Sequence, residues 1–478
     1  MNKKYLIITI IAVILLAIIG FFAFSSNNVS TMSGTGIAVD ANALTEKGSL
    51  SIESETQDES NGFFSTDKSD VNSIFVNNSG ILKLANSVIN KTGDTATSGD
   101  DADFYGVNSA VLVKDSSQLT IENCEINTNS KGSNGIFVTN TDSGQSQGGS
   151  PGESGTAPGE GGGDAPEKPP EALNKDAQGT DITKATVSNV KITTHQDKSR
   201  GLDATFGGVI EATNVEINTD GGSCAAVATD RGEGNITVKN SILNTGVSKD
   251  SGRGSPLVYS TGNITIGEST GTAYVSQIAC IEGKNSISLE NCDLNCFAEG
   301  NRKDGDNYVD LGGVFIYQSM SGDADVGTSV FDCKATTLSI DSSSDYYSTA
   351  PMFHVTNTKA NIVLESSTFN FGSGILFDIS GQNQWGSEGS NGGDVNLTSI
   401  DEKLNGDIIV DSISSLNFNL QNTEFEGAIN STGTTNVVID SGSTWTLSGD
   451  SNITSLENSG TINLNGHKLL VNGVEYSG

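Results

Sequence analysis

The sequence has few prolines, histidines, tryptophans and basic residues. Its 478 residues include 7 Pro, 3 His and 2 Trp, and 58 acidic residues outnumber 25 basic ones, which gives a net charge of −33. A nucleic-acid-binding protein needs a basic surface, so this charge argues against nucleic acid as a partner. Three histidines and the absence of any Cys-x-x-Cys pair also argue against a zinc site.

Helical periodicity is missing from the sequence after residue 24. Short alternating runs recur instead, for example residues 264–266 (Ile-Thr-Ile) and 287–289 (Ile-Ser-Leu). Alternation with a period of two is typical of β-strands. The sequence therefore predicts an all-β fold.

A four-residue signature, Asn–small–x–large apolar, repeats along the chain. The steps from Asn189 to Asn214 and from Asn214 to Asn240 are 25 and 26 residues, and the next step is 51. A fixed period in this range is typical of a solenoid. The signature begins at Asn86, Asn123, Asn189, Asn214, Asn240 and Asn291, with a degenerate copy at Ser366.

Each repeat contains about three short strands, which predicts a right-handed parallel β-helix. Asn suits the turn between two strands because it tolerates the left-handed conformation. We expect successive Asn side chains to stack as a ladder, as in β-helices similar to pectate lyases. The small residue after each Asn should face inward.

The N-terminus carries a membrane signal. An unbroken apolar run of 20 residues covers 5–24, directly after Lys3 and Lys4. This length crosses a bilayer core of about 30 Å, and the lysines favour a cytoplasmic N-terminus. We predict an uncleaved transmembrane signal anchor over 1–24 with the rest outside; the alternative is a cleaved signal and a secreted protein.

The remaining chain divides into a spacer and the β-helix. Residues 25–63 read as a polar spacer, with an early strand around Ile52 left open, and 64–478 as the parallel β-helix. Residues 142–173 are rich in Gly and Pro and should form a disordered loop that interrupts the helix. Residues 440–478 should form a capping segment that covers the last apolar layer.

Six cysteines leave the disulfide state open. Cys124 and Cys292 follow a signature Asn and should be buried inside the coil. Cys292 and Cys296 could instead pair with each other or with Cys280.

Five segments resemble a group of exported, adhesin-like β-helix proteins of anaerobic bacteria and methanogens. The resemblance covers roughly residues 70–478, and it implies the fold and a cell-surface location. It implies no catalytic residues. The segments are 106–113, 199–205, 228–234, 281–286 and 317–323.

These segments share one place in their coils, the end of a strand and the following turn. Their polar and aromatic side chains should therefore line one long face. Inward-facing Ile281 and Ile316 would place Glu282 and Tyr317 outward on that face. The predicted ligand-binding residues are Arg200, Asp203, Asp230, Arg231, Tyr259, Glu282, Lys284, Tyr317, Gln318 and Asp323.

We interpret the chain as a surface protein whose extended face binds an extracellular polysaccharide or cell-surface glycan. In one alternative, the Arg–Asp pairs only brace loops. In others, the same fold carries a polysaccharide lyase or glycoside hydrolase, or serves as a passive spacer. We expect a binding protein rather than an enzyme and predict no cofactor, with calcium at 100–103 or 323–325 left open.

Overall fold

The computed structural model describes residues 39–97, 99–140, 182–248 and 254–477. They belong to one compact unit, Ile37–Gly478. The predicted anchor 1–24 and the predicted disordered loop 142–173 lie outside the described residues. Among the described residues, no helix has the length and apolar character needed to cross a membrane.

The described chain is almost entirely β, in long parallel sheets compatible with a solenoid or β-helix. Two sheets contain 23 and 16 strands, and a four-stranded sheet occurs near the C-terminus. The exceptions are the 3-10 turn Ala41–Ala43, the helix Gly99–Tyr105 and the antiparallel pair Lys303–Asp304 and Asn307–Tyr308.

The strands form three rows, and each strand pairs with the strand one repeat further along. The first row precedes the signature Asn: Thr56–Ser60, Ile81–Ala85, the first half of Gln118–Thr128, the first half of Lys184–Thr194, Val209–Thr213, Asn235–Lys239, Asn263–Gly267, Ser286–Glu290, Thr328–Lys334, Thr358–Glu365, Gly393–Ile400, Ser415–Gln421, Thr434–Ile439 and Ser455–Asn458.

The second row follows the Asn. It comprises Thr45–Gly48, Gly62–Thr66, Val88–Lys91, the second halves of Gln118–Thr128 and Lys184–Thr194, Glu216–Thr219, Ile242–Thr245, Thr270–Ala273, Asp293–Cys296, Thr337–Ile340 and Thr368–Asn370. In the last repeats a separate sheet takes this place in the chain, with Lys403–Asn405, Glu424–Glu426, Thr444–Thr446 and Thr461–Asn463.

The third row is the 16-stranded sheet. Its strands are Leu50–Glu53, Ile74–Asn77, Val111–Lys114, Ile136–Thr139, Leu202–Thr205, Val227–Thr229, Val258–Ser260, Ala279–Glu282, Val314–Tyr317, Phe353–Thr356, Ile375–Ile379, Asp407–Val410, Ile429–Ser431, Ser451–Ile453, Leu469–Val471 and Val474–Glu475. The last two strands pair antiparallel, whereas the predicted capping residues 444–463 continue the parallel rows.

The signature Asn residues occupy left-handed turns between the first two rows, as predicted. The six Asn and Ser366 have φ between 50° and 56°. Asn214 Nδ2 donates to Asn189 Oδ1 at 3.2 Å, and Asn240 Nδ2 donates to Asn214 Oδ1. The residue after each Asn is buried, from Ser87 to Ser367. The signature therefore marks the turn that keeps successive coils in register.

The cysteines are buried and free. All six thiols are unpaired, so of the two alternatives left open, the pairing among Cys280, Cys292 and Cys296 does not occur. Cys292 and Cys296 belong to the apolar interior, whereas Cys280 belongs to a separate cluster on the outer face of the third row. Burial of Cys124 and Cys292 inside the coil is confirmed.

The β-structure begins earlier than the predicted boundary at residue 64. Glu46 pairs with Phe63, and Leu50 pairs with Ile74, in parallel register with the following coil. Ile52 is fully buried and Leu50 packs against the same interior, so two apolar residues anchor this strand, which includes the early strand expected around Ile52. The predicted spacer 25–63 is therefore too long. The insertion around 142–173 leaves the stack unbroken, because Gln118–Thr128 pairs directly with Lys184–Thr194.

The Asn ladder predicts opposite substitution effects at two neighbouring positions. Asn214 sits at φ 56°, whereas Asn218 lies within a strand and accepts from Asn244 Nδ2 at 3.0 Å. We expect Asn214→Ala to lower the unfolding free energy by about 2 kcal/mol and Asn214→Gly by only about 1 kcal/mol. At Asn218 the order should reverse, because Gly weakens a strand more than Ala does. Urea midpoints of the four variants check this prediction. If Ala and Gly ranked in the same order of stability at both sites, the prediction would be contradicted.

Candidate functional site

The outer face of the third row carries the predicted ligand-binding residues, but it is covered. Ile281 and Ile316 face the interior, so Glu282 and Tyr317 point to the other side of the sheet, as alternation requires. Glu282 is nevertheless only 2% exposed and Tyr317 only 9%. The predicted exposure of these two side chains is wrong because residues between the strands fold over them.

The covering residues come from three places in the chain. Ser319 donates a hydrogen bond to Glu282, Trp385 packs on Tyr317 at a ring distance of 4.5 Å, and Asp103 of the helix Gly99–Tyr105 contacts Arg200. Asp103 and Trp385 line a cavity of about 860 Å³ on the outer face of the sheet, and Ser319 covers Glu282 behind its wall.

Five of the ten predicted residues line this cavity: Arg200, Asp230, Tyr259, Tyr317 and Asp323. Asp203, Arg231 and Glu282 stand behind them, in contact with the lining residues. The other two serve the loops. Lys284 Nζ binds Glu233 at 2.6 Å and Asp325 at 2.9 Å, and Gln318 Nε2 donates to the Ala324 carbonyl at 3.2 Å.

One end of the cavity is built around Arg200. Its Nη1 lies 2.9 Å from Asp103 Oδ1, its Nη2 lies 2.8 Å from Asp230 Oδ2, and its Nε lies 3.5 Å from Asp203 Oδ2. Asp103 also binds Lys198 Nζ at 2.7 Å. Burial of ions is costly unless charges and hydrogen bonds are satisfied. This end, here called the acid end, depends on a single guanidinium shared by three carboxyl groups.

The carboxyl groups of the acid end are incompletely satisfied. Among the described residues, neither oxygen of Asp203 nor Oδ2 of Asp230 has a hydrogen-bond partner. The 2.8 Å contact of Asp230 with Arg200 is therefore an ion pair without hydrogen-bond geometry. Burial raises the pKa of Asp230 to about 7, against the opposing charge of Arg200. Burial likewise raises the pKa of Asp203 well above its ordinary value.

A second arginine closes the acid end. Arg231 Nε donates to Asp323 Oδ1 at 2.6 Å, and its guanidinium lies 3.8 Å from the centre of the Phe104 ring. The pair ties the segment after the third-row strand Val314–Tyr317 to the helix Gly99–Tyr105.

Glu282 organises the middle of the cavity. Its Oε2 accepts from Tyr259 Oη at 2.6 Å and from Tyr317 Oη at 3.1 Å, and its Oε1 accepts from Ser319 and Ser321. Burial raises the pKa of Glu282, and the hydroxyl donors oppose that rise. The carboxyl group thereby holds both tyrosines and the loop above them in one arrangement.

Aromatic and basic side chains form the other end. Phe315 and Tyr317 stack at 4.5 Å, and Trp385 lies against both rings. Arg302 lies 5.7 Å from the Trp385 ring, and Lys303 Nζ lies 4.2 Å from the Tyr308 ring. Trp385 as a residue is only 7% exposed. Its indole N–H has no hydrogen-bond partner among the described residues.

Four lining residues fall outside the predicted ligand-binding set: Asp103, which was considered only for calcium, Phe104, Arg302 and Trp385. All four lie outside the strands, so the repeat gives no information about their position. One signal was available for Trp385: it is one of only 2 tryptophans and occurs in a polar, Gly-rich segment where no core residue is expected.

At the two candidate calcium positions, three of the described carboxylates are paired with basic side chains. Asp323 binds Arg231 and Asp325 binds Lys284, so the two carboxylates face different partners. Asp103 is engaged by Lys198 and Arg200. Within the described ranges, no three His, Cys, Asp or Glu side chains come together in a way that could hold a metal ion.

Comparison with known proteins adds no relative. No protein-family model, curated protein or solved structure matches this chain. The function of the cavity must therefore be argued from its own geometry.

The raised pKa of Asp230 predicts a stability difference that depends on pH. A carboxyl group whose pKa is about 7 when folded, against an ordinary value of about 3.9, keeps its proton longer in the folded state. Its contribution to stability is therefore complete below about pH 4 and lost as pH rises through 7. Asp230→Asn mimics the protonated form, so wild type should become less stable relative to this variant between pH 5 and 8.

Thermal unfolding of both proteins across this range measures the difference. Asp394→Asn provides a comparison, because the Asp394 side chain is 46% exposed. A constant gap between wild type and Asp230→Asn from pH 5 to 8 would contradict the prediction.

Proposed function

We propose that the cavity binds a short saccharide segment and that the protein is an adhesin-like glycan-binding protein. The observation that carries this proposal is a covered cavity of about 860 Å³ that combines aromatic rings with carboxyl, hydroxyl and guanidinium groups. Such a volume falls within the range of small-molecule sites, which are mostly apolar with a few placed polar groups. A saccharide matches this mixture because it has apolar ring faces and many hydroxyl groups.

The aromatic end supplies the stacking surface. Trp385, Phe315 and Tyr317 form one contiguous ring cluster at the cavity wall. The unpartnered Trp385 N–H can donate to a sugar oxygen beside the ring. Asp230 and Tyr259 supply hydrogen-bonding groups across the cavity.

The lining charges favour a neutral or cationic ligand over an anionic one. The acidic residues in the wall outnumber the basic ones, and the whole chain carries a net charge of −33. A polyanionic chain would have to overcome this repulsion. The acidic lining residues are Asp103, Asp230, Glu299, Asp310 and Asp323, and the basic ones are Arg200, Arg302 and Lys303.

We include in this proposal a right-handed β-helix and a position at the cell surface. The three parallel rows support a right-handed parallel β-helix, since parallel crossovers strongly favour that hand. The apolar run 5–24 after two lysines supports an anchor that holds this body at the cell surface. A secreted protein is the alternative.

Glycoside cleavage is a second candidate function. Asp230, with a pKa of about 7, lines the cavity, and Glu282, whose pKa is also raised, lies directly behind the lining. A carboxylic acid that keeps its proton near neutral pH can protonate a leaving oxygen, and a second carboxyl group is the partner that glycosidases require. Release of new reducing ends from a bound oligosaccharide, abolished by Asp230→Asn and by Glu282→Gln, would support this function. Binding without products would exclude it for that ligand.

Tryptophan fluorescence tests the binding proposal directly. The chain has only 2 tryptophans: Trp385 in the cavity wall and Trp445, which is fully buried in the interior. Titration with oligosaccharides should change the emission of wild type, and Trp385→Ala should bind about tenfold more weakly or worse, the scale of a buried aromatic contact. The remaining signal of Trp445 in that variant should not respond.

The result is interpretable only if Trp385→Ala keeps the fold, which a urea midpoint near wild type verifies. Full affinity in a folded Trp385→Ala variant, or the absence of any response across neutral and amino oligosaccharides, would contradict saccharide binding in this cavity.

A further inference from the structure

The acid end carries more negative than positive side chains. Together with the neighbouring Glu282 it holds five carboxyl groups against three cations, and all eight groups are connected by ion pairs or electrostatic interaction. The carboxyl groups are those of Asp103, Asp203, Asp230, Glu282 and Asp323, and the cations are Lys198, Arg200 and Arg231.

The three cations of the acid end already form ion pairs with its carboxyl groups. Lys198 and Arg200 both bind Asp103, at 2.7 and 2.9 Å, and Arg231 binds Asp323 at 2.6 Å. Asp230 pairs with the Arg200 guanidinium, which other carboxyl groups also use. The charges of Asp103, Asp323 and Glu282 all disfavour the ionised form of Asp230. Asp230 therefore has only the Arg200 guanidinium beside it, and Asp103 and Asp203 share that cation.

Two buried polar groups in the cavity wall have no hydrogen-bond partner among the described residues. Asp230 is 4% exposed, and its Oδ2 accepts no hydrogen bond; Trp385 is 7% exposed, and its Nε1–H donates none. Buried polar groups in native proteins are otherwise nearly always paired. The wall thus offers one acceptor at the acid end and one donor at the aromatic end, both suited to a ligand.

We infer that the ligand of this cavity is a saccharide with a free ammonium group, held with the ammonium against Asp230 and a sugar ring against Trp385. This inference rests on the proposed saccharide binding and narrows it to amino sugars that are not acetylated. An ammonium group is a compact cation with three donors, so it supplies both the missing charge and the missing hydrogen bond.

Neutral sugars fit this end less well. A hydroxyl group can donate to Asp230 but brings no charge, so the excess of buried carboxyl groups would remain. An N-acetyl group removes the charge and is bulkier. The acid end therefore discriminates against both because neither adds a positive charge beside its excess carboxyl groups, and not by shape alone.

The test must separate this site from the acidic surface, because a chain with a net charge of −33 attracts any cation. Two carboxylates of one loop allow this. Asp323 lines the cavity and pairs with Arg231, whereas Asp325 lies outside the lining, pairs with Lys284 and has a side chain 53% exposed. Asp323→Asn and Asp325→Asn remove the same charge two residues apart.

The experiment is calorimetric titration of the full chain with the β-1,4-linked trisaccharide of glucosamine and with its fully N-acetylated form. We expect the amine to bind at least about tenfold more tightly, the scale of one buried charge pair. Asp323→Asn should weaken amine binding by about three- to tenfold, and Asp325→Asn should leave it unchanged. Asp230→Asn should reduce the preference for the amine further, and Trp385 emission should respond to the amine.

Three results would overturn the inference. Equal or tighter binding of the acetylated trisaccharide would refute the ammonium preference while leaving saccharide binding intact. Equal losses in Asp323→Asn and Asp325→Asn would assign the preference to the general surface charge. Binding of neither trisaccharide nor any other oligosaccharide would refute the proposed function itself. Because Asp323 is partly exposed and outside the strands, its variant remains informative if Asp230→Asn fails to fold.

Discussion

Parallel register between successive coils is the constraint on which the rest of this structure depends. Each strand hydrogen-bonds to the strand one repeat later, so an inward residue in one coil must lie beside an inward residue in the next. A slip of one residue would turn the apolar layer outward. The left-handed Asn turn between the first two rows gives every coil the same corner, and the Asn189–Asn214–Asn240 ladder joins the corners.

The same register assembles the site from distant parts of the chain. Asp203, Ala228, Tyr259, Cys280, Phe315 and His354 occupy one level of the third row, each paired with the next. Their side chains share the outer face because inward and outward positions alternate. Ala228 lies between Asp203 and Tyr259 at this level and is fully buried. A repeat that exists for stability thus also sets the order of charged and aromatic groups along the cavity.

The repeating part of the molecule could be predicted from the sequence, and the covering part could not. Asn214, Cys124 and Ile281 lie where the signature and the alternation predict them. The reason is that pairing between successive strands fixes which residues turn and which face inward. The exposure of Glu282 and Tyr317 was mispredicted because it depends on Ser319 and Trp385, which belong to irregular segments without a period. Asp103 is a further case: its contact with Arg200 joins residues 97 positions apart, across a helix that interrupts the repeat. Periodicity predicts the direction of a side chain, but the segments that cover it must be known separately.

The six free cysteines have a consequence for the chemistry of the folded protein. Burial raises the pKa of the Cys124, Cys224, Cys296 and Cys333 thiols to about 12, and it raises those of Cys280 and Cys292 as well. The thiolate is the form that reacts with oxidants and disulfides, and it is nearly absent at neutral pH for such groups. Burial of all six thiols therefore slows thiol–disulfide exchange in the folded chain.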